Sequence, residues 1–597
     1  MNKYKKTIGL IAGCWLMLSS CAEVTFWNEF LGDQPESSGA TTEEMFASRL
    51  NAERVLAQSY TNLISGLPTS ADNKLGDDIL ECITDLSYSY RDNISDGPRT
   101  LYYNGALSAT NIPSHAAYCY GSESDWRTIR YAWLYLENVD KVPDMTAAEK
   151  NMRSAEAKVL IALSYFGMLQ NVGGVTWLDH AVDVNETMAY PRITFAQTVD
   201  NIVALLDDVI DNSNLPWRQS DTDYGRMSKA AAMALKFKVL LFAASPTFNS
   251  DTPWHPEADE YTCYGNYSLD RWRVAVEAGR EFFDRLNAEG GYALVQPAEE
   301  THRARRLAYR QAYFQRTSTE VLISIHKGYG FDGTHPSLFD QRYYYGPTLN
   351  YVDMFPWADG SDFLANPDDP SGFDWSNPPT QPFFEVDDAG ELVPTRDPRL
   401  YENVACPGDM YYNGTTVPAH VNHPNYHLGT GFLMMKYILQ QSDDRGTPEQ
   451  WSHTRLPEIM LGYAEALNEV NPTPTAEAYD MVNQVRARVG LSALPENLSH
   501  DNFLKAVLKE RALELGFEEV RWYDLIRRGM ADEFRKQLYG LTSTGLDDLY
   551  NPTQFSFEVT ELGDRYWRTT WDTKWYLAPI PQTEINKGYG MTQNPGW

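Results

Sequence analysis

Residues 501–529 read "DNFLKAVLKERALELGFEEVRWYDLIRRG", two helix-patterned runs, "DNFLKAVLKERALELG" and "EEVRWYDLIRRG", parted at a glycine. Two such runs joined by so short a turn form a helix hairpin. The pattern repeats outward from this stretch. Immediately upstream, "LPEIMLGYAEALNEV" (456–470) precedes "AEAYDMVNQVRARVG" (476–490). Further back, "FAQTVDNIVALLDDVI" (195–210) precedes "SKAAAMALKFKVLLFAASP" (228–246), with Ser228 placed as N-cap and Pro246 as stop. Earlier still, Trp126, Ile129, Ala132, Trp133, Leu136 and Val139 recur at spacings of three and four. After "KVPDMTAAE" the same spacing carries Met152, Ala155, Val159, Leu160, Leu163, Phe166 and Leu169, and Asn171 to Gly174 ends the helix.

Hairpins stacked side by side resemble tetratricopeptide-type repeats, here with an irregular period and long insertions. The expected fold class is therefore mainly α. The insertions, 87–121, 247–268 and roughly 326–430, are rich in Gly, Pro, Asn, Asp and aromatic residues and hold only short strand-like runs, "EVLISIHK" and "FLMMKYI". Their aromatic content argues against disorder. Residues 41–597 are read as one composite domain, a helical scaffold carrying an irregular, aromatic-rich face. Within the scaffold, Ala464 and Ala466 bring helix backbones close, and Glu465 among apolar neighbours calls for a cation such as Arg486 or Arg511. Trp126, Trp133 and Trp522 sit at helical spacing and read as core.

The N-terminus reads differently. Lys3, Lys5 and Lys6 precede a 14-residue apolar run from Thr7 to Ser20, too short to cross roughly 30 Å of hydrocarbon. Residues 1–20 are thus a secretory leader, and Leu18-Ser19-Ser20-Cys21 resembles the lipobox of bacterial lipoproteins. Cys21 is the expected lipid attachment site, and residues 21–40, with Gly32, Pro35, Ser37, Ser38 and Gly39, form a tether to a bilayer. The 597-residue chain is 43% hydrophobic with a formal net charge of −31, and loss of the leader's three lysines takes the charge to −34. Such a field repels phosphate backbones, which excludes nucleic acid as a natural partner. Cys82, Cys119, Cys263 and Cys406 are too widely spaced for a metal knuckle, and an exported chain leaves three disulfide pairings open.

Several catalytic patterns fail on context. "GYGFDG", Gly328 to Gly333, matches GxGxxG, but Pro336 follows where a phosphate-binding helix must start. His420, His423 and His427 cluster, yet Pro424 breaks any helix that would align the last two on one face, so a loop is expected there. There is no HExxH or GxSxG, and adjacent acids such as Asp368-Asp369 and Asp387-Asp388 do not flank a bond across a cleft as glycosidase carboxyls do. No catalytic residue, metal or cofactor is expected.

The end of the chain, "WYLAPIPQTEINKGYGMTQNPGW", reads as a short strand, a Pro-fixed turn, a helical turn from about Gln582 and a Gly/Pro-rich terminus. Together with "RSAEAKVLIALSYFGMLQNVGGV", "PTLNYVDMFPWADG", "RDPRLYENV", "LPEIMLGYAEALNE" and "KERALELGFEEVRWYDLIRRG", it resembles the SusD/RagB family of outer-membrane nutrient-binding lipoproteins. The resemblance covers most of the mature chain. It implies a SusD-like scaffold and a non-catalytic binder of glycans, lipid-anchored in the outer membrane and facing the exterior. It also implies a partner, a SusC-like TonB-dependent outer-membrane transporter, over which the chain closes as a lid. The residue chemistry agrees: sugars are held by an aromatic ring beneath and by Asp, Asn or Arg at the rim. One loop region offers Tyr88, Tyr90, Arg91, Asp92, Asn93, Tyr102, Tyr103 and Asn104; another offers Tyr329, Phe331, Tyr343, Tyr344 and Tyr345. For any one tyrosine the alternative is loop packing. A peptide-binding member of the same family is the second reading and a surface glycan hydrolase the third.

Overall fold

The computed structural model describes residues 41–66, 75, 78–92, 96–112, 123–183, 185–187, 189–326, 344–411, 415–420, 422–424, 429–438 and 450–597. The four expected hairpins form, each from two helices packed side by side. They pair Glu123–Asn138 with Ala147–Val172, Phe195–Asn212 with Lys229–Ala244, Leu456–Val470 with Ala476–Arg488, and His500–Glu514 with Val520–Arg527. Their ends follow the sequence. Ser228 Oγ accepts the Ala231 N–H at 3.1 Å, and Gly173 ends the Ala147–Val172 helix with φ of +80°.

Among the described residues, three further helices of more than ten residues escaped the periodicity reading: Arg49–Thr61, Leu269–Glu289 and His302–Phe314. Arg49–Thr61 packs on Glu123–Asn138. Leu269–Glu289 packs on both Lys229–Ala244 and Leu456–Val470, and so joins the early hairpins to the late ones. Small residues let these three helices approach one another: a Cβ on Gly279 would sit 2.4 Å from the Tyr463 ring, and one on Gly462, in Leu456–Val470, would sit 2.9 Å from Leu241 of Lys229–Ala244. The neighbouring Ala464 and Ala466 are fully buried.

Strands are few and short. Val321–Ile325, from "EVLISIHK", pairs antiparallel with Trp451–Arg455. Of "FLMMKYI" only Leu433–Met434 is a strand, paired with Val404–Ala405. The hairpin Tyr539–Gly545 with Phe555–Glu561 was not expected. At the C-terminus, Thr573–Tyr576 is a 3-10 turn where a strand was expected, and the helical turn Gln582–Asn586 forms as read. Among the described residues no helix is long and apolar enough to cross a membrane. Residues 1–40, with the leader, Cys21 and the tether, lie outside the described residues. Cys82, Cys263 and Cys406 are buried free thiols, and Cys119 is likewise outside.

A lattice of buried ion pairs joins the late hairpins to the strands. Arg455 bonds Glu320, Glu514 and Glu518; Arg488 bonds Glu320 and Glu514; Arg399 bonds Asp397, Glu510 and Glu514. Burial raises the Glu514 pKa, but Arg488, Arg455 and Arg399 outweigh it and hold the carboxyl at about 2. Glu465 finds a different partner from either expected. Its carboxylate takes both amino groups of Arg527 at 2.6 Å, because Arg486 is bound to Glu510 and Arg511 to Asp524. Trp522 is core as read. Trp133 and Trp126 are only partly buried: the Trp133 indole N–H donates to the Leu178 carbonyl, and Trp126 stands edge-on to Tyr165 while its indole also lines a cavity.

Candidate functional site: a tyrosine and arginine edge

The two aromatic loop regions meet. Strand Ser87–Ser89 pairs antiparallel with Tyr345–Pro347 in the register Ser87 to Pro347, Tyr88 to Gly346 and Ser89 to Tyr345. The Tyr90 N–H extends the ladder by donating to the Tyr344 carbonyl at 2.7 Å. The partner strand needs glycine at 346, where a Cβ would lie 2.4 Å from the Phe432 carbonyl oxygen. Thr348 fastens its far end, its N–H to the Leu86 carbonyl and its hydroxyl to that of Asp85.

Within the paired strands Tyr88 and Tyr345 are buried, while Tyr90 and Tyr344, just beyond the last paired residues, lie at the rim. The Arg91 guanidinium lies 4.2 Å from the centroid of the Tyr344 ring and 3.4 Å from the buried Asp78 carboxylate. Ser89 completes the mount: its hydroxyl donates to Asp78 at 2.5 Å and accepts the Arg91 N–H. A cation over an aromatic face is worth ~1 kcal/mol in such partly exposed settings, enough to orient both groups. Tyr344 nonetheless remains 43% exposed. Beside it, Arg99 pairs with Asp92 at 2.8 Å, the Asp92 side chain 73% exposed. Asn104 is exposed on the same loop, and next to it Gly105, at φ +66°, lies under the ring of Tyr566, which is 39% exposed. Burial raises the Tyr90 phenol's pKa far above its ordinary value, with Tyr88 adding to the effect, so the hydroxyl stays protonated.

Two candidates are corrected. Tyr102 is 2% exposed and packs edge-on against Trp522 and Trp567. Tyr103 is buried, its hydroxyl donating to the Cys82 carbonyl at 2.6 Å and accepting the Ser89 N–H. The π-helical turn Arg99–Tyr103 causes this, carrying Leu101, Tyr102 and Tyr103 inward while Arg99 stays at the rim. Neither ring is open to a ligand. Asn93, Tyr329, Phe331 and Tyr343 lie outside the described residues, as do "GYGFDG" and His427. His420 and His423 are partly exposed, His423 edge-on to Tyr550, and no group of three metal-ligating side chains occurs among the described residues. Arg99 and Tyr566 were missed. Arg99 sits in the very loop singled out for its tyrosines, whereas nothing local marks Tyr566, some 460 residues further along the chain.

What remains is a half-exposed Tyr344 ring with an arginine behind it and the Arg99–Asp92 pair next to it, Arg99 donating to the Tyr90 carbonyl. Such a set can stack on the C–H face of a sugar and bond its hydroxyls.

Comparison with known proteins agrees with this architecture. The family model described as the SusD family matches residues 342–597. A SusD-like protein, P38, from Formosa agariphila is 25% identical over 434 residues, covering 69% of this chain and 73% of the relative. Among solved structures, a SusD-like protein from Bacteroides fragilis superposes with a TM-score of 0.68 at 21% identity, covering 95% of this chain and 99% of the other. A second from the same species, described as a SusD-like carbohydrate-binding protein, gives 0.65 at 20% identity over 91% and 98%.

Proposed function

We propose that this chain is a member of the SusD family, a non-catalytic surface lipoprotein that binds oligosaccharides and delivers them to a TonB-dependent outer-membrane transporter. The observation that carries the binding half is the strand pairing that sets Tyr90 and Arg91 against Tyr344. It assembles, from two loops more than 250 residues apart, the ring and rim that a neutral sugar requires. A relative of the same fold described as carbohydrate-binding supports the ligand class. The delivery half follows from tethering: a protein held by Cys21 outside the membrane cannot itself move a ligand inward, and a flexible tether keeps it at high effective concentration beside a barrel. The stacked helices offer the rigid surface that such a lid needs.

Calorimetry of the chain from residue 22 against a panel of oligosaccharides tests binding, with Tyr344→Ala and Arg91→Ala as variants and thermal melts as controls. Weak to moderate, salt-insensitive binding without turnover is expected. Shortened products would establish a hydrolase instead. Affinity purification from native membranes is expected to recover a barrel transporter, and metabolic acyl labelling is expected to be lost in Cys21→Ala. Labelling that persists in that variant rules out Cys21 as the anchor.

A further inference from the structure

A second concavity lies away from the tyrosine edge, built from three distant segments. Trp126 and Arg130 come from the first turns of the Glu123–Asn138 helix; Thr176, Leu178, His180, Val182 and Tyr190 come from the loop after Ala147–Val172; Glu584, Lys587, Tyr589 and Met591 come from the C-terminal run. Its volume is about 270 Å3. That is just below the ~300 to 1,000 Å3 of sites for drug-sized ligands and suits a single ring.

The walls are held from behind. Trp126 is set edge-on by Tyr165, whose hydroxyl also accepts the Leu178 N–H at 2.8 Å. The Thr176 hydroxyl donates to the Tyr190 carbonyl, and Thr176 bridges to Arg192. Buried Arg192 then binds the Thr592 carbonyl and the Asn594 side chain, locking the C-terminal run against this loop. Gly590 sits where a Cβ would meet Pro191 at 2.9 Å. Asn594 further bonds the Val172 and Ala578 carbonyls. The terminal "QNPGW" is thus a clamp that positions one wall of the cavity.

Chemically the lining is an aromatic and aliphatic bowl with cations at its margin. Trp126, Tyr190, Tyr589, Leu178, Val182 and Met591 supply flat apolar surface. Glu584 is neutralised by Lys587, whose amino group reaches both its oxygens at 2.7 and 2.9 Å. Hydrogen bonds to Asp179 and Glu186 raise the His180 pKa. One terminal nitrogen of Arg130 donates to the Val182 carbonyl, which fixes the guanidinium plane at the cavity wall. Of the cations lining this ring-sized apolar bowl, Lys587 is paired with Glu584 and His180 with Asp179 and Glu186, so Arg130 is the lining cation that no carboxylate neutralises among the described residues.

We propose that this cavity is a second sugar site, separate from the tyrosine edge, that selects a hexuronate: a pyranose whose C–H face lies on Trp126 and whose carboxylate is taken by Arg130. The sugar half rests on the glycan-binding reading above; the carboxylate half rests on this cavity alone. A guanidinium forks onto a carboxylate in one plane, and no neutral hexose supplies that partner.

The test titrates the chain from residue 22 with D-glucuronate, D-glucose and N-acetyl-L-tyrosine, followed by calorimetry and tryptophan fluorescence. Glucuronate is expected to bind roughly tenfold more tightly than glucose, a difference of the size one charge-assisted contact provides. Arg130→Gln is expected to abolish that preference, Trp126→Ala to weaken both sugars, and Tyr344→Ala to leave glucuronate binding unchanged. Lys587→Gln, at an exposed position, is the second variant should Arg130→Gln not fold, and is expected to reduce the preference. Equal affinity for the two sugars overturns the proposal, as does a preference untouched by these changes. Tighter binding of N-acetyl-L-tyrosine makes the cavity a peptide site. If Tyr344→Ala alone removes glucuronate binding, the ligand sits at the edge and only this second site falls. If glucuronate binds here while no oligosaccharide depends on Tyr344, the edge assignment falls and this one stands.

Discussion

The stretch 501–529 and the loop 88–104 are built from the same kinds of residue and come to opposite ends. In the first, the charges of Glu510, Arg511, Glu514, Glu518, Arg521, Asp524 and Arg527 are buried and answered by side chains of opposite sign. In the second, Arg99 and Asp92 pair at the exposed rim, while Arg91 is buried beside Asp78 and only backs the half-exposed Tyr344 ring. A buried charge must be satisfied within the protein and is then unavailable to anything else, whereas a rim charge can exchange water for a ligand. The arginines and acids of the scaffold are therefore structural, however suggestive their number.

That contrast is open to direct measurement. The largest expected effect is at the lattice. Arg455→Leu removes the cation common to Glu320, Glu514 and Glu518, leaving the first two to Arg488 and the third to Lys436, and is expected to cost about 3 to 5 kcal/mol in denaturant unfolding. A loss below ~1 kcal/mol would mean that the lattice is not a structural core. Tyr102→Ala belongs with it despite its place in the loop: removing a ring packed among Trp522, Trp567 and Trp575 is expected to cost about 3 kcal/mol of stability. Any change in ligand affinity should follow unfolding and not exceed it.

Asp353 reverses the sign. Both of its oxygens are buried without a hydrogen-bond partner, and burial lifts its pKa well above the carboxylate range, only partly opposed by Arg396. Its folded pKa exceeds the unfolded value of about 3.9, so its contribution is fully present below that pH and is lost as pH rises toward the folded pKa. Asp353→Asn is therefore expected to stabilise the protein at pH 7 by about 1 to 2 kcal/mol, a gain that shrinks as pH falls toward 4. Melting curves across that window decide it, and a destabilised variant at pH 7 would show that the carboxylate is ionised and partnered. The smallest effect is expected at the rim. Tyr344→Ala should lower oligosaccharide affinity about tenfold, roughly 1.4 kcal/mol, with the melting temperature within a degree or two. Unchanged affinity would move the binding face elsewhere.

The helix hairpins were legible because their signal is local: apolar residues three and four apart, a serine cap, a glycine stop. Leu269–Glu289 was missed although its signal is local too: Trp272, Val276, Gly279 and Phe282 recur at spacings of three and four on its buried face. The Tyr539–Gly545 and Phe555–Glu561 hairpin was missed although Phe555, Phe557 and Val559 alternate with Ser556, Glu558 and Thr560; its partner strand, with Thr542, Ser543 and Thr544 in a row, carries no such alternation. The composition of the loops pointed to an aromatic binding face, and the chain order of the family-like segments pointed to the fold.

Which tyrosines form that face was not written locally. Tyr102 and Tyr344 look alike in sequence, each beside another tyrosine in a polar loop, and they part only because Trp567 and Trp575, some 470 residues beyond Tyr102, close over one of them. Glu465 announced that it needed a cation, but Arg527 took that place because Arg486 and Arg511 were already engaged. Periodicity and composition depend on neighbours along the chain, so they survive in the sequence. Exposure and ion pairing depend on neighbours in space, and those are settled only when residues hundreds of positions apart pack together.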